Sequence, residues 1–287
     1  MGLLDGLAKM GIKNVDTKDI YETEKEKNSE KKKIEEVKSV PVVEEKDFIF
    51  EKSYECIICD NKYKSYTLKS NKAKLIKLDR DLRPVFEGVE PLKFEVVTCP
   101  VCGYSVMSRY MIPLTPSQKK AVVENVCQSF TGIKEDSENT VTYESALEKM
   151  KLALACAILK RAKASEKAYI CLKGGWLCRA YAEHITEETP DKMDKLSEIR
   201  ADEKEFLDSA YEGFVAARQS ENFPIAGMDA TTLDYLIAVL ATDRNQLDVA
   251  SKMIAGILQS PNASTKMKDK ARVLKDELVV KIKEAKK

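Results

Sequence analysis

Cys56-Ile57-Ile58-Cys59 and Cys99-Pro100-Val101-Cys102 set four thiols in two Cys-x-x-Cys pairs. Four thiolates fill the tetrahedral shell of a structural zinc ion. The two-residue spacer lets the backbone curl until both sulfurs of a pair face one ion. Pro100 stiffens the second turn, and Gly103 can take the positive φ that follows the last ligand. Asp60-Asn61 stands in the matching place after the first pair, and both residue types tolerate that region better than most. The chemistry expected of Cys56, Cys59, Cys99 and Cys102 is to hold one Zn2+ in a closed site. The same spacing also suits buried unligated cysteines or a thiol redox pair.

The other reactive side chains point less clearly to a site. Cys127, Cys156, Cys171 and Cys178 fall within expected helices among apolar neighbours and read as small hydrophobes. Cys171 and Cys178 share a helical face, which leaves a second metal site open as an alternative. His184, the single histidine, reads as a surface or capping residue. A catalytic zinc keeps an open position, usually beside His or carboxylate ligands, and four cysteines leave none. The chain has no phosphate-binding loop, no dinucleotide fingerprint and no nucleophile elbow. It reads as a protein that is not an enzyme.

Residues 62–83 contain eight basic side chains (Lys62, Lys64, Lys69, Lys72, Lys74, Lys77, Arg80, Arg83) against Asp79 and Asp81, with Tyr63 and Tyr66 interleaved. Such a face can hold phosphates and stack bases. It can equally be a solvated surface that offsets the charge of a four-thiolate site. Forty-eight basic and 47 acidic residues in the whole chain leave no global field to name a polyanionic partner.

Those residues must be positioned by the rest of a 287-residue chain, enough for one large or two modest domains. No apolar run reaches the ~18 residues of a membrane span, and the N-terminus lacks a signal-peptide pattern. Free cysteines in ligand spacing fit a reducing compartment, so the expected location is cytoplasmic. Residues 1–15 form a short amphipathic segment. Residues 16–47 hold eleven acidic and eight lysine residues with little that is apolar, and read as a disordered mixed-charge linker.

Residues 48–112 read as a zinc-ribbon-like module with an insertion between its two cysteine pairs, and strands are expected over 72–78 and 94–98. From 113 to 287 the apolar period becomes helical. Thr115-Pro116-Ser117-Gln118 is a capping box that starts a helix to about Phe130. Further helices are expected over 143–162, from the cap at Ser165, from Thr189-Pro190 to about Gln219, from the cap at Asp229, and from Ser264 to the end. In the hairpin 231–261, Ala238, Ala250, Ile254 and Ile257 fall at tetratricopeptide spacings, and Pro261 closes it. Gly174-Gly175 lies inside a helix, where close approach of a second helix is the usual reason to accept a cost of about 1 kcal/mol per glycine. The expected fold class is α+β: a small β-rich, zinc-ribbon-like module with four cysteine ligands, followed by an all-α tetratricopeptide-like stack.

Several stretches carry a family resemblance: Tyr54-Glu55-Cys56-Ile57-Ile58-Cys59, Asp81 to Gly88, Pro91-Leu92, Cys99-Pro100-Val101-Cys102-Gly103-Tyr104, Ser260-Pro261-Asn262-Ala263 and Lys268-Asp269-Lys270-Ala271-Arg272. Together they resemble the bacterial, Firmicutes-type domain-of-unknown-function family numbered 2225, from about Lys46 to the C-terminus. The first cysteine pair lacks the Pro and Gly that many such knuckles carry. The resemblance implies the zinc-binding and helical architecture, and brings no activity with it.

The functional expectation is a zinc-stapled adaptor whose helical surface binds a protein or peptide partner. The alternatives are a nucleic-acid-binding protein using the 62–83 face, aided by a basic last helix, and a thiol redox protein.

Overall fold

A computed structural model of the chain describes residues 44–133, 136, 139–188 and 193–285. The expected N-terminal segment and all but the last residues of the 16–47 linker lie outside these, as does the expected helix start at Thr189-Pro190. Those last residues form a helical turn, Glu45–Phe48, closed by reciprocal bonds between Glu44 and Asp47. The described chain therefore takes up structure a few residues ahead of the expected linker boundary.

Three antiparallel strand pairs follow. β1 (Ile49–Glu55) pairs with β2 (Lys62–Leu68), setting Ile49 opposite Leu68 and Glu55 opposite Lys62. β3 (Lys74–Leu78) pairs with β4 (Pro84–Glu87), and β5 (Val96–Thr98) with β6 (Ser105–Met107). The pairs do not join into a larger sheet. An isolated two-stranded ribbon is marginal in water, so each needs support from elsewhere. β5 and β6 are buried along their whole length against the first long helix. The insertion expected between the cysteine pairs is the β3–β4 hairpin.

The helices begin largely where their caps stand. α1 (Pro116–Val122) starts at the Thr115 box, in which the Gln118 side chain accepts from the Thr115 N–H at 3.0 Å. It then widens into a π-helical turn, Val123–Cys127, instead of running on as an α-helix to Phe130. α2 (Tyr143–Leu159) is capped by Thr142, whose hydroxyl accepts from the Ser145 N–H at 3.1 Å. α3 (Ala164–Glu188) starts one residue before Ser165, so Ser165 is not its cap; the Ser165 N–H instead donates to the Glu221 carboxylate at 2.9 Å. α4 spans Met193–Ser220. α5 (Ala230–Asp243) is capped by Asp229, accepting from the Thr232 N–H at 2.7 Å. α6 (Leu247–Gln259) and α7 (Thr265–Ala285) complete the stack, with Ser264 capping the last.

The glycine pair inside α3 has the expected cause. A Cβ on Gly174 would lie 2.7 Å from the Phe206 ring, and one on Gly175 2.6 Å from Leu207, both on α4. Only hydrogen at these positions lets the two longest helices pack this closely.

Apolar burial joins the strands to the helices. Phe48, Ile49, Leu92, Phe94, Val96 and Met107 belong to one cluster with Met150, Leu172, Trp176, Phe206, Phe214 and Leu236. A second cluster, including Ala238, Ala250, Ile254, Ile257, Leu274 and Leu278, closes α5, α6 and α7 on one another. Glu44–Lys287 is accordingly one compact unit, with a core shared across residue 112.

Charged side chains add a second tie. The turn between β3 and β4 inserts Arg83, only 3% exposed, between Asp79 and the carboxylate of Glu183 on α3, with N–O distances of 2.7 Å to each. Buried Asp81 accepts from Trp176 Nε1 and from Arg179, each at 2.9 Å. Arg80 pairs with Asp243 at 2.7 Å and Glu277 at 2.9 Å, and its carbonyl accepts from the Tyr235 hydroxyl at 3.0 Å. Four charged residues of one turn, Asp79, Arg80, Asp81 and Arg83, thus clamp the insertion to α3, α5 and α7. Burial works to raise the Asp79 pKa, but the Arg83 guanidinium and Lys77 outweigh it and hold the carboxyl below its ordinary value.

Glu90 is a counter-example. It caps the 3-10 turn Pro91–Phe94 by accepting from the Leu92 N–H at 3.1 Å. Burial outweighs that bond and raises its carboxyl from 4.5 to about 7. The folded state therefore holds a proton that the unfolded chain gives up first, so Glu90 lowers stability as pH rises between about 4.5 and about 7. Urea unfolding across that window should show the decline. Glu90→Gln should flatten the slope relative to wild type, and an unchanged slope would refute the assignment.

Candidate metal centre

The β1–β2 and β5–β6 turns build the same knuckle twice. In the first, the Cys56 N–H donates to the Asn61 carbonyl and the Asp60 N–H to the Cys56 carbonyl, both at 2.9 Å. In the second, the Cys99 N–H donates to the Tyr104 carbonyl and the Gly103 N–H to the Cys99 carbonyl, again at 2.9 Å. The residue after each second cysteine takes a left-handed conformation, with φ of 57° at Asp60 and 72° at Gly103. This is why Asp can stand where knuckles often carry glycine: the first turn needs the dihedral and nothing more.

At Gly103 the demand is steric as well. A Cβ there would sit 2.4 Å from the Phe130 ring. Gly103→Ala combines a left-handed penalty of about 1–2 kcal/mol with that clash. It is expected to destabilise the protein by more than about 2 kcal/mol, whereas Asp60→Gly should change stability by less than about 1 kcal/mol. Thermal melts of the two variants check the contrast; equal shifts would contradict it.

The two knuckles face each other. The sulfurs of Cys56 and Cys102 are 3.5 Å apart, those of Cys59 and Cys99 are 3.7 Å apart, and all four ligand atoms lie within 4.8 Å of one another. This is the one group of the kind among the described residues, and it could hold a metal ion. Cys56, Cys99 and Cys102 are buried and Cys59 lies on the solvent side. Burial pushes the Cys56 thiol up to about 11 and raises Cys102 as well. Buried neutral thiols at these separations gain little from one another, while a cation replaces their protons and neutralises the resulting thiolates. The wall behind the site is apolar: Tyr104, Val106, Val122, Val126 and Cys156 pack on the cysteines.

The remaining cysteines divide. Cys171 and Cys178 lie in the helical core and burial raises both thiols to about 12, which suits the reading as small hydrophobes. Cys127 differs from that reading. It is half-buried and packs against the cluster that contains Cys56, Cys99 and Cys102. The π turn brings it there, and a sequence read with an α-helical period gives no sign of it. His184 is half-buried on α3, its ring 5.1 Å from that of Tyr143.

The basic run of 62–83 is largely spent within the molecule. Lys64 pairs with Glu51, Lys74 with Glu87 and Lys77 with Asp79. The Lys69 ammonium donates to the Asp47 carbonyl at 3.1 Å, and Arg80 and Arg83 belong to the clamp. The clamp itself carries no periodic signature, which is why Asp79 and Asp81 read from the sequence as ordinary solvated charges.

Among the described residues no helix is long and apolar enough to cross a membrane. No curated protein and no solved structure matches the chain. Residues 49–278 match a family model, a span that takes in both knuckles, the clamp and the helices through most of α7. The chain belongs to the bacterial family described as "Uncharacterized protein conserved in bacteria (DUF2225)".

Proposed function

We propose that this chain is a non-enzymatic, cytoplasmic adaptor in which Cys56, Cys59, Cys99 and Cys102 hold a structural Zn2+ and the helical stack binds a protein or peptide partner. The observation that carries the reading is the convergence of four sulfurs from two matched knuckles. Zn–S bonds of about 2.3 Å in a tetrahedron require S–S edges of about 3.8 Å, against 3.5 and 3.7 Å for the closest pairs here. Four thiolates complete the shell and leave no position for substrate, so the ion's work is to fasten the two ribbons together. A tetratricopeptide-like reading of α5 and α6 is supported by the burial of Ala238, Ala250, Ile254 and Ile257 between helices of 14 and 13 residues.

Zinc content and sulfur coordination, measured by elemental analysis and X-ray absorption on reduced protein, test the metal. One ion with four sulfurs is expected. Crosslinking in a bacterial host that carries the gene tests the adaptor, with one recurrent protein partner expected. Nucleic-acid titrations separate the alternative: a binder making four or five phosphate contacts loses affinity with a log–log salt slope of about −0.7 per contact on single strands. With most of the 62–83 cations engaged in ion pairs and backbone contacts, binding at physiological salt should be weak. Tight, steeply salt-dependent binding abolished by Lys72→Glu would overturn the adaptor reading. A thiol that cycles between oxidised and reduced states with bound metal absent would favour the redox alternative.

A further inference from the structure

A cleft of about 840 Å3 opens where the chain leaves the β module, the corner between α2 and α3, and the loop between α4 and α5 come together. Four basic side chains line it, Arg109, Lys160, Arg161 and Lys163, against two acidic ones, Glu166 and Glu221. Both carboxylates are already engaged. Glu166 pairs with Lys160 at 2.6 Å, and Glu221 accepts from the Ser165 N–H at 2.9 Å. Arg161 and Lys163 are exposed and form no ion pair among the described residues.

Arg109 is held in place from three sides. Its guanidinium lies 4.4 Å from the centroid of the Tyr169 ring and 5.3 Å from that of Tyr110, and Nη2 donates to the Ala226 carbonyl at 3.3 Å. A Cβ at Gly227 would come within 3.1 Å of the same nitrogen, so the glycine leaves it room. An arginine whose rotamers are already restricted loses less entropy when it grips a carboxylate. Beside it, the hydroxyl of Tyr110 is shielded from solvent and has no hydrogen-bond partner among the described residues. A donor in that state costs about 1–3 kcal/mol until an acceptor reaches it. The cleft also has an apolar wall: Ile112 is 58% exposed, and Leu114 and Pro224 lie near it.

We propose that this cleft binds an acidic peptide segment, with one carboxylate on Arg109, flanking carboxylates on Arg161 and Lys163, and an apolar side chain against Ile112. This deepens the adaptor reading and rests on it. A nucleic acid fits less well, because the apolar wall of Ile112, Leu114 and Pro224 would face a sugar–phosphate backbone.

An array of decapeptides tests the proposal with the zinc-loaded full-length chain at physiological salt. The array varies the number of Glu residues from zero to five, each with and without a central Leu. Binding should rise with Glu count and fall when Leu is replaced by Gly. The double variant Arg161→Glu/Lys163→Glu removes exposed charges only and should weaken binding by about tenfold or more, as loss of two charge-assisted bonds implies. Arg109→Gln should do the same. Binding that ignores Glu count, that survives the double variant, or that a single-stranded oligonucleotide displaces at equal concentration would overturn the proposal. If the partner crosslinked in the host is retained by the double variant, the cleft assignment fails while the adaptor reading stands. If no partner crosslinks and no acidic decapeptide binds, both fail.

Discussion

Cys102→Ser is expected to leave the protein without stoichiometric zinc and to remove about 5 kcal/mol or more of its stability. Structural zinc sites contribute apparent binding free energies of about 10–16 kcal/mol, comparable with the whole stability of a typical domain. The substitution takes a ligand from the better buried half of the site, where Tyr104, Val106, Val122 and Val126 pack directly on the cysteines. If residues 48–112 were a self-contained module, it would unfold and leave the helices standing. The shared core alters that expectation. Val96 and Met107 pack with Met150 and Leu172, so losing the ribbons uncovers α2 and α3. Urea unfolding should therefore show one transition at a lower midpoint, read identically by helical and tyrosine signals. Two separate transitions, or unchanged stability after complete zinc loss, would contradict a structural role. Chelation of the wild type should reproduce the variant. Because burial raises the Cys56 thiol to about 11, protons compete strongly for the ligands, and zinc affinity should fall as pH is lowered.

Arg83→Ala is expected to cost about 3 kcal/mol at neutral pH. Removing one partner of a buried pair leaves the other charge uncompensated, at about 3–5 kcal/mol. The lower end applies because Glu183 is 49% exposed and keeps its water, while Asp79 at 17% does not. Arg83→Lys should recover only part of the loss, since a point ammonium cannot reach Asp79 and both Glu183 oxygens as the planar fork does. The pH dependence carries a sign. Asp79 is held below its ordinary 3.8 in the folded state, so its contribution is present above that value and is lost as pH falls through the folded pKa. Wild type should lose stability below about pH 4 more steeply than Arg83→Ala. Parallel acid limbs, or a variant as stable as wild type at pH 7, would show that the clamp does not hold the insertion.

Local patterns in the sequence determine the knuckles and most of the helix starts. Two Cys-x-x-Cys turns, Gly103, and the capping residues Thr115 and Asp229 act within a few residues of themselves, so their consequences can be read without knowing what lies across the molecule. Gly174-Gly175 signals a close crossing for the same reason, although not which helix crosses there. Three features were decided only by the tertiary structure. The π turn at Val123–Cys127 departs from the α-helical period and packs Cys127 against the cysteine cluster. The Asp79–Arg83 clamp joins residues about 100 positions apart, and an alternation of charges in one short turn looks the same whether solvated or buried. The core shared by the strands and α2 to α5 is the third. Composition places Val96, Met107 and Leu172 inside something, but hydrophobic burial has no direction. Which faces meet is set by the packing of the whole chain.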